Sequence, residues 1–324
     1  MNAGTQLLGG GLLLYFGAQW LVGGASAFAL ALRVPQLIVG LTVVAFGTST
    51  PEVIVSVQAA RAGHSDVALG NVIGSNISNI GLILGLAALI APAKVNGALR
   101  DRELPVLVAS TLLLPLLLLD GAVGRWDGGL LLLCGIGYTA WMVRVARTAA
   151  DVASATRATA IEEAAADAAG APKPIGALRA GATAVFGLGV LILGGRLFVG
   201  GAVSAAHALG MSERLVGLTI VAVGTSLPEL VTSAIAAHRG HSDLAIGNVV
   251  GSNIFNVFLC LGAGALSGVV AAPLDALALD LVSLFVMTGL AALFIRTERT
   301  ITRAEGALAL AFYAAFLAFT AARG

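Results

Sequence analysis

The chain has 324 residues, of which 58% are apolar and only 11% are charged, and its formal net charge is +1. Soluble domains carry about 25% charged residues, so this composition excludes an ordinary cytosolic enzyme and a disordered chain. The near-zero net charge excludes a polybasic surface for nucleic acid. The composition therefore predicts an all-α, polytopic membrane protein whose partner is the lipid bilayer.

Apolar stretches that can cross a bilayer recur along the chain. A spanning helix needs about 20 mostly apolar residues. We predict ten such spans, at approximately 5–30, 36–61, 66–91, 103–120, 127–146, 177–205, 213–238, 243–271, 276–295 and 303–322. The first span lacks a basic leader region, so we expect a retained helix and not a signal peptide.

A polar, alanine-rich stretch separates the fifth span from the sixth. It contains Glu162, Glu163 and the run Ala-Pro-Lys-Pro. We predict three regions on this basis. They are a first five-helix repeat over 1–146, a cytoplasmic linker over 147–176 and a second five-helix repeat over 177–324.

Basic residues are divided unevenly between the two sides of the predicted membrane domain. With the N-terminus outside, thirteen Lys and Arg lie on the inside and four on the outside. Because cytoplasmic loops are enriched in Lys and Arg, we predict a plasma (inner) membrane protein with both termini external.

Arg196 lies within span six and is interpreted as a snorkelling residue near its cytoplasmic end. Cys134 and Cys260 lie in separate apolar stretches, which favours packing roles.

Two stretches of the chain are copies of each other. Residues 40–81 and 217–258 align without a gap at an offset of 177, and 26 of 42 positions are identical. The identities include Pro, Glu, His, Asp and Asn, which a shared apolar bias does not produce. Equivalent helices are five spans apart, so the second copy crosses the membrane in the opposite direction. Inverted repeats are typical of transporters whose site lies near the midplane between the repeats.

The first repeated motif is Gly-Thr-Ser-x-Pro-Glu, at 47–52 and 224–229. Its proline has no N–H group and breaks the helix, which frees backbone carbonyls at membrane depth. Glu52 and Glu229 are the two acidic residues that lie well inside a predicted span, and an intramembrane carboxylate indicates a functional site. Each glutamate begins a second half-helix, whose dipole favours the ionised form.

Hydroxyl groups share a helix face with these glutamates. Thr48 and Ser49 precede Glu52 by four and three residues, and Thr225 and Ser226 repeat that spacing in the second copy. Carboxylates, hydroxyls and freed carbonyls together predict an all-oxygen cage, which suits Ca²⁺. The alternative is that the small residues only pack helices and the proline only kinks them. That alternative leaves two midspan glutamates unexplained.

The second repeated motif is Gly-Asn-Val-x-Gly-Ser-Asn-Ile-x-Asn. Ser75 and Asn79 lie four residues apart on one helix face, as do Ser252 and Asn256. Their neutral oxygens would suit Na⁺, and interhelical hydrogen bonds are the alternative role. The asparagines between them are interpreted as packing residues, and they are Asn76 and Asn253.

The two motifs resemble the two alpha-repeats of the cation/Ca²⁺ exchanger superfamily, which includes sodium/calcium exchangers. The motif match covers about 45 residues in each half. The resemblance implies a secondary antiporter that exchanges Ca²⁺ for Na⁺ by alternating access, with spans one and six sliding over the rest. It implies no enzyme activity and no cofactor, and a monomer is expected to suffice.

The resemblance also implies ion ligands at matching positions. Glu52, Glu229 and the carbonyls of Thr48 and Thr225 would hold Ca²⁺. The Na⁺ sites would be completed by Ala45, Ser49, Ser75, Asn79, Ala222, Ser226, Ser252 and Asn256. Some members carry Asp where this chain has Asn256, so the cage holds two formal charges and not three. That difference leaves K⁺ dependence and the coupling ion open.

Two other functions stay open at this stage. A Ca²⁺/H⁺ antiporter would use the same glutamates to bind protons. A passive channel would pass cations without a counter-ion. An intramembrane aspartyl protease needs paired intramembrane aspartates, and an ATP-driven pump of the phosphate-loop type needs a phosphate loop, and the sequence contains neither.

Overall fold

The chain folds into long apolar helices, as shown by a computed structural model that describes residues 2–164, 176–211, 222–274, 277–297 and 300–323. In chain order the main helices are α1 (Ala3–Leu32), α2 (Gln36–Thr48), α3 (Thr50–Arg61), α4 (Ser65–Ile90), α5 (Leu104–Leu117), α6 (Arg125–Ala164), α7 (Ala177–Ala208), α8 (Leu227–His238), α9 (Ser242–Ser267), α10 (Ala278–Thr297) and α11 (Arg303–Arg323).

Several of these helices contain or adjoin π-helical turns. Such turns lie within α2 (Gly40–Val44), α4 (Asn79–Leu84) and α9 (Asn256–Leu261). Another π-helical turn, Leu99–Glu103, leads into α5. A short helical turn, Ala222–Gly224, precedes α8. Two of these turns begin at the last residue of the second motif, Asn79 or Asn256, and π-helical turns often occur at functional sites.

The helices confirm a multispan membrane protein. Within the described residues, seven helices are long and apolar enough to cross a membrane, and α2 with α3 forms an eighth span if the bent pair is counted as one. The remaining two predicted spans, 103–120 and 213–238, correspond to shorter helices. The first contains the 14-residue α5, and residues 212–221 of the second lie outside the described residues.

The break between α2 and α3 lies where the sequence predicts it. Ser49 interrupts the helix, Pro51 is in the first turn of α3, and the two segments meet at an angle of 43°. The second copy repeats this arrangement with Ser226 before α8 and Pro228 in its first turn. Glu52 and Glu229 therefore both lie in the first turn of a helix.

Helices α4 and α9 form the centre of the fold. Their most apolar windows are 72% and 83% buried, against 17% to 50% for the other candidate spans. Both carry the Gly-Asn-Val-x-Gly-Ser-Asn motif, and α9 packs on α2 through close backbone contacts at glycine. A Cβ atom on Gly247 would lie 2.8 Å from the Leu37 carbonyl oxygen, so only glycine allows this approach.

Helices α1 and α7 pack against each other antiparallel along a row of glycines. Three glycines spaced seven residues apart on α1 meet the backbone of α7, and three on α7 meet α1 in the same way. For example, a Cβ atom on Gly17 would lie 2.5 Å from Leu191 N. The glycines are Gly10, Gly17, Gly24, Gly187, Gly194 and Gly201, and the two sets are 177 residues apart.

Four two-residue strands are the exception to the all-α prediction. Ala93–Lys94 pairs antiparallel with Thr300–Ile301, and Ala122–Val123 pairs antiparallel with Val270–Ala271. Each pair joins a loop of the first half to a loop of the second half. The two halves of the chain are therefore joined by strand pairing at two places.

Helix α6 continues to Ala164, beyond the predicted fifth span, so residues 147–164 of the predicted linker are helical. One sequence interpretation needs correction. Arg196 lies in the C-terminal half of α7, twenty residues into a helix of 32. In the predicted orientation that half is external, so a place near the cytoplasmic end was wrong.

Candidate cation site

Both glutamates are buried at the centre of the molecule. Glu52 and Glu229 are each 1% exposed, and they lie in the first turns of α3 and α8. Each carboxylate accepts a hydrogen bond from the serine of the other copy. Ser49 Oγ donates to Glu229 Oε1 at 3.1 Å, and Ser226 Oγ donates to Glu52 Oε1 at 3.4 Å. The crossed pairs bring the two repeated motifs together.

The other oxygen of each glutamate has no protein partner. Oε2 of Glu52 and Oε2 of Glu229 are buried without a hydrogen bond among the described residues. The ion pairs in the described part of the chain are Arg100–Asp101 and Arg102–Glu103, so neither glutamate faces a basic side chain in an ion pair. Burying a carboxylate without a neighbouring cation costs free energy, so binding a cation beside this pair of glutamates is favourable.

Two asparagines fix the half-helices that carry the glutamates. Asn71 Nδ2 donates to the Glu52 carbonyl at 3.1 Å and to Ser56 Oγ at 2.9 Å. Asn248 Nδ2 donates to Ser233 Oγ at 3.0 Å and lies 3.5 Å from the Glu229 carbonyl. Sequence reasoning missed both asparagines as site residues. Their identity in both copies was the signal, because each is the second residue of the second motif.

Four further asparagines form two crossed pairs. Asn79 Nδ2 donates to Asn253 Oδ1 at 2.9 Å, and Asn256 Nδ2 donates to Asn76 Oδ1 at 3.0 Å. Asn76 and Asn253, interpreted from the sequence as packing residues, thus orient the amides of the two predicted ligands. Both pairs join α4 to α9 and keep the amide groups turned to the centre.

Some predicted ligand oxygens are left unpaired by this network. Asn79 Oδ1 and Ser252 Oγ are buried without a partner among the described residues. Asn256 Oδ1 differs, because it accepts a hydrogen bond from Cys260 Sγ at 3.3 Å. Ser75 is buried on α4, and Ala45 is fully buried on α2. Of Ala222 only its place at the start of a helical turn is described.

The two threonines of the first motif differ in their surroundings. The Thr48 hydroxyl is fully buried and lies 3.1 Å from Asn248 Oδ1 and 3.0 Å from the Val44 carbonyl oxygen. Thr225 is half-buried and lines two cavities. The site is therefore sealed on the side of Thr48 and adjoins free space on the side of Thr225.

The first cavity, of about 610 Å³, lies between α7 and the half-helices α3 and α8. Apolar side chains make most of its wall, and Gln58 and Arg196 are its long polar side chains. The second cavity, of about 420 Å³, lies against α4 and α11 and is lined by Asn71, Ser75 and Asp280 among others. Both cavities reach Thr225 and Val55, so each leads towards the glutamate pair.

The donor set is made of oxygen. No group of three or more His, Cys, Asp and Glu side chains that could hold a metal ion occurs in the described ranges. Carboxylates, amides, hydroxyls and carbonyls are ligands of hard cations such as Ca²⁺, whereas soft metals prefer sulfur and imidazole. Buried helices around such a centre define a polytopic membrane transporter of cations.

Comparisons with known proteins agree with that class. The family model described as sodium/calcium exchanger protein matches residues 3–144 and 180–322. The chain is 38% identical to the putative antiporter CaxA of Alkalimonas amylolytica, with 94% of each chain covered. It is 31% identical to the sodium/calcium exchanger MaX1 of Methanosarcina acetivorans, with 96% of each chain covered.

The fold also matches that of a solved structure. The sodium-calcium exchanger NCX_Mj, in crystals soaked with 2.5 mM Na⁺ and 0.1 mM Sr²⁺, superimposes with a TM-score of 0.82 at 33% identity, and 98% of each chain is covered. The chain belongs to the sodium/calcium exchanger family. It is accordingly a membrane antiporter, which confirms the family resemblance drawn from the two motifs.

Proposed function

We propose that this chain exchanges Ca²⁺ for Na⁺ across the plasma membrane by alternating access, with one central ion site around Glu52 and Glu229. One observation carries the proposal: two buried carboxylates lie at one centre, and among the described residues each has an unpaired oxygen and no basic side chain in an ion pair. Leaving two such charges uncompensated costs several kcal/mol each. A single divalent cation between them neutralises both.

The proposed ligands follow the duplicated motifs. Ca²⁺ is held by Glu52, Glu229 and the backbone carbonyls of Thr48 and Thr225. Na⁺ takes the surrounding oxygens, of which Asn79 Oδ1 and Ser252 Oγ lack a protein partner. The remaining members of the proposed Na⁺ set are Ala45, Ala222, Ser49, Ser226, Ser75 and Asn256.

The proposed topology has ten spans in two inverted five-helix repeats, joined by a cytoplasmic linker, with both termini external. Three observations support it. Equivalent contacts recur at an offset of 177 residues, α1 and α7 run antiparallel, and the paired strands cross between the halves. The chain is proposed to act as a monomer, because both repeats of one chain supply all the proposed ligands.

Alternating access would be carried by α1 and α7 moving together along the site. Their glycine seam supports motion as a unit, because close backbone contacts hold the two helices together along their length. Both cavities lie on the Thr225 side of the glutamate pair, which in the proposed orientation is the external side. The described conformation is thus proposed to be the outward-facing one.

The energy balance favours an electrogenic exchange. Exporting Ca²⁺ against a ~10⁴-fold gradient and a potential of about 100 mV costs about 10 kcal/mol. One Na⁺ that enters down a tenfold gradient at the same potential returns about 3.7 kcal/mol. Three Na⁺ suffice under these conditions and two do not. Competition for the same two carboxylates would couple the ions, since Ca²⁺ and a full Na⁺ set cannot occupy the cage together.

Proton coupling is the rival for the counter-ion. Protons need only the carboxylates, whereas the buried acceptors Asn79 Oδ1 and Ser252 Oγ are of use to a metal cation. These unpaired neutral oxygens favour Na⁺.

The test is ⁴⁵Ca²⁺ uptake into proteoliposomes loaded with Na⁺ and diluted into Na⁺-free buffer. A parallel set carries only a pH gradient, and Glu52→Ala is the inactive control. We expect uptake driven by the Na⁺ gradient alone and increased by a favourable membrane potential. Uptake driven only by the pH gradient would move the chain to Ca²⁺/H⁺ exchange, and uptake without any counter-ion gradient would identify a channel.

A further inference from the structure

The smaller cavity beside the glutamate pair contains a carboxylate that the proposed ion site does not use. Asp280 lies in the first turn of α10, is half-buried and lines the cavity of about 420 Å³. It forms no ion pair among the described residues. Ser75 and Thr225, two residues of the proposed ion site, line the same cavity. A cation in this cavity therefore meets both the charge of Asp280 and residues of the site.

Two hydroxyl groups in this cavity point to a polar occupant. Ser78 is 3% exposed, and its Oγ atom is buried without a hydrogen bond among the described residues. The same holds for the Oγ1 atom of Thr320. Both residues line the cavity together with Asp280. Buried hydroxyl groups without a protein partner indicate a group that the protein does not supply, such as a water molecule or an ion. The walls formed by α4 and α11 thus offer polar groups to a hydrated cation.

The first copy of the repeat has an acidic residue at the position equivalent to Asp280. This residue is Glu103, which precedes Asp280 by 177 positions. The same offset relates Thr111 and Thr288, whose Oγ1 atoms lie 3.4 Å apart, so the equivalence extends over α5 and α10. In the proposed inverted topology, Glu103 lies at the cytoplasmic end of its span and Asp280 at the external end. Each side of the membrane therefore has one carboxylate at this position.

The two equivalent carboxylates differ in their partners. Glu103 is fully buried on the sealed side, where Tyr138 donates a hydrogen bond to its Oε2 atom at 2.9 Å and Arg102 Nε lies 3.9 Å from Oε1. Phe316 occupies the position equivalent to Tyr138, because α6 and α11 begin 178 residues apart. Phe316 has no hydroxyl group, and it lines the cavity of Asp280. The acidic residue is thus bound by the protein on the sealed side and available to cations on the cavity side.

We propose that Asp280 is the residue that draws cations into the external side of this exchanger. The inference rests on the proposed exchange of Ca²⁺ at Glu52 and Glu229. A carboxylate in a cavity with low-dielectric walls raises the local concentration of cations and their rate of entry. At equal distance its attraction for Ca²⁺ is twice that for Na⁺, because Coulomb energy is proportional to charge. Asp280 acts through this charge and is not a member of the ion cage.

The test measures cation affinity separately at the two faces of the membrane. Right-side-out and inverted membrane vesicles present the external and the cytoplasmic face. Vesicles are loaded with unlabelled Ca²⁺, and the entry of ⁴⁵Ca²⁺ is followed as Ca²⁺/Ca²⁺ exchange, with protein-free vesicles as background. The variants are Asp280→Asn, Asp280→Glu and the control Asp120→Asn. Asp120 is an exposed acidic residue that lies in a predicted external loop and does not line the cavity.

We expect Asp280→Asn to raise the external Ca²⁺ concentration for half-maximal exchange about three- to tenfold at low ionic strength. The rate at saturating Ca²⁺ and the value at the cytoplasmic face should not change. The shift should largely disappear when choline chloride raises the ionic strength from about 0.01 M to about 1 M, because the screening length falls about tenfold. Asp280→Glu restores the charge and should behave as wild type, and so should Asp120→Asn.

An unchanged external value in Asp280→Asn would overturn the proposal. An equal shift at both faces, or a shift that salt does not reduce, would show a structural role and would also overturn it. Asp280→Ser serves if the asparagine variant does not fold.

The experiment separates this inference from the proposed function. Ca²⁺/Ca²⁺ exchange needs neither a Na⁺ gradient nor a pH gradient, so the effect of Asp280 is measured even if the counter-ion proves to be H⁺. Conversely, Na⁺-driven uptake together with an unshifted external value in Asp280→Asn would refute the role of Asp280 and leave Na⁺/Ca²⁺ exchange intact. Wild type without Ca²⁺/Ca²⁺ exchange would refute both.

Discussion

The two sides of the glutamate pair are built from the same motifs and yet differ in access. On one side, here called the sealed side, Thr48 and Asn248 are fully buried and in contact with each other. On the other, the cavity side, Thr225 is half-buried and two cavities lead to it. Sequence duplication therefore makes the proposed ion ligands symmetric, but in this conformation the two sides of the glutamate pair differ in access.

Glycine contacts show the same difference. Gly247 and Gly251 on the sealed side touch the backbone of α2, whereas a Cβ atom on Gly70 or Gly74 would meet no described atom within 4 Å. Further contacts on the sealed side are made at the middle of α1 and at the start of α2. Arg239 donates to the Gln19 carbonyl at 3.2 Å, and Gln36 lies 3.1 Å from His241 Nδ1. A transporter that alternates between two such states needs this inequality to prevent a leak.

The largest expected effect comes from the shared centre. Replacing either Glu52 or Glu229 by Gln removes one of two charges from a buried site. Losing about 3 kcal/mol of interaction weakens Ca²⁺ binding roughly a hundredfold. We expect both variants to fold and to lose exchange to a similar extent, measured by ⁴⁵Ca²⁺ uptake and by calorimetric Ca²⁺ binding. A large difference in transport or Ca²⁺ binding between the two variants would show that the two glutamates do not contribute equally. Retained transport in either variant would refute the proposed ion site.

The next-largest effect is expected from substituting Gly247 on the sealed side and Gly70, the equivalent glycine on the cavity side. In Gly247→Ala the new Cβ atom meets the Leu37 carbonyl oxygen at 2.8 Å, and overpacking of this kind costs about 1–3 kcal/mol. In Gly70→Ala the new atom meets no described atom within 4 Å, and the higher helix propensity of alanine adds up to about 1 kcal/mol of stability. Thermal unfolding in detergent measures both. Equal destabilisation would show that the cavity side is as tightly packed as the sealed side.

A smaller effect is expected from the two threonines. Thr48→Val removes a buried hydroxyl and leaves Asn248 Oδ1 without that donor, at a cost of about 1–3 kcal/mol. Thr225→Val removes a hydroxyl beside a cavity and should cost less. Both variants keep the backbone carbonyls, so Ca²⁺ affinity should survive in each. Thermal unfolding reports stability, and Ca²⁺ titration reports binding. A loss of binding without a loss of stability would mean that the side chains are ligands.

The smallest effect is expected from Arg196, which lines the larger cavity on the cavity side. The residue at the equivalent position of the first copy is Gln19. A positive charge in an apolar cavity repels entering cations, and salt screens this repulsion when the cavity is wet. We expect Arg196→Gln to lower the external Ca²⁺ concentration for half-maximal uptake a few-fold at low salt and hardly at all at high salt. The opposite sign would mean that Arg196 assists entry.

Sequence reasoning predicted the main features of the site because they depend on local chemistry. The proline of each first motif dictates a broken helix, and Glu52 and Glu229 begin the half-helices as expected. The seven or eight spans among the described residues follow from apolar length alone. The residues that orient the ligands were harder to find. Asn71 and Asn248 bond backbone and serine groups across helices, and periodicity does not show such contacts.

The sequence by itself determined the membrane environment, the duplication, the family and the two carboxylates, because hydropathy, motif identity and proline stereochemistry are properties of short segments. Only the tertiary structure decided which serine bonds which glutamate, which asparagines pair with each other, and which side of the site is sealed. The physical reason is that these features are contacts between residues about 170 to 210 positions apart. Their distances depend on how α2, α4, α8 and α9 pack, and two copies of one motif can pack in two different ways.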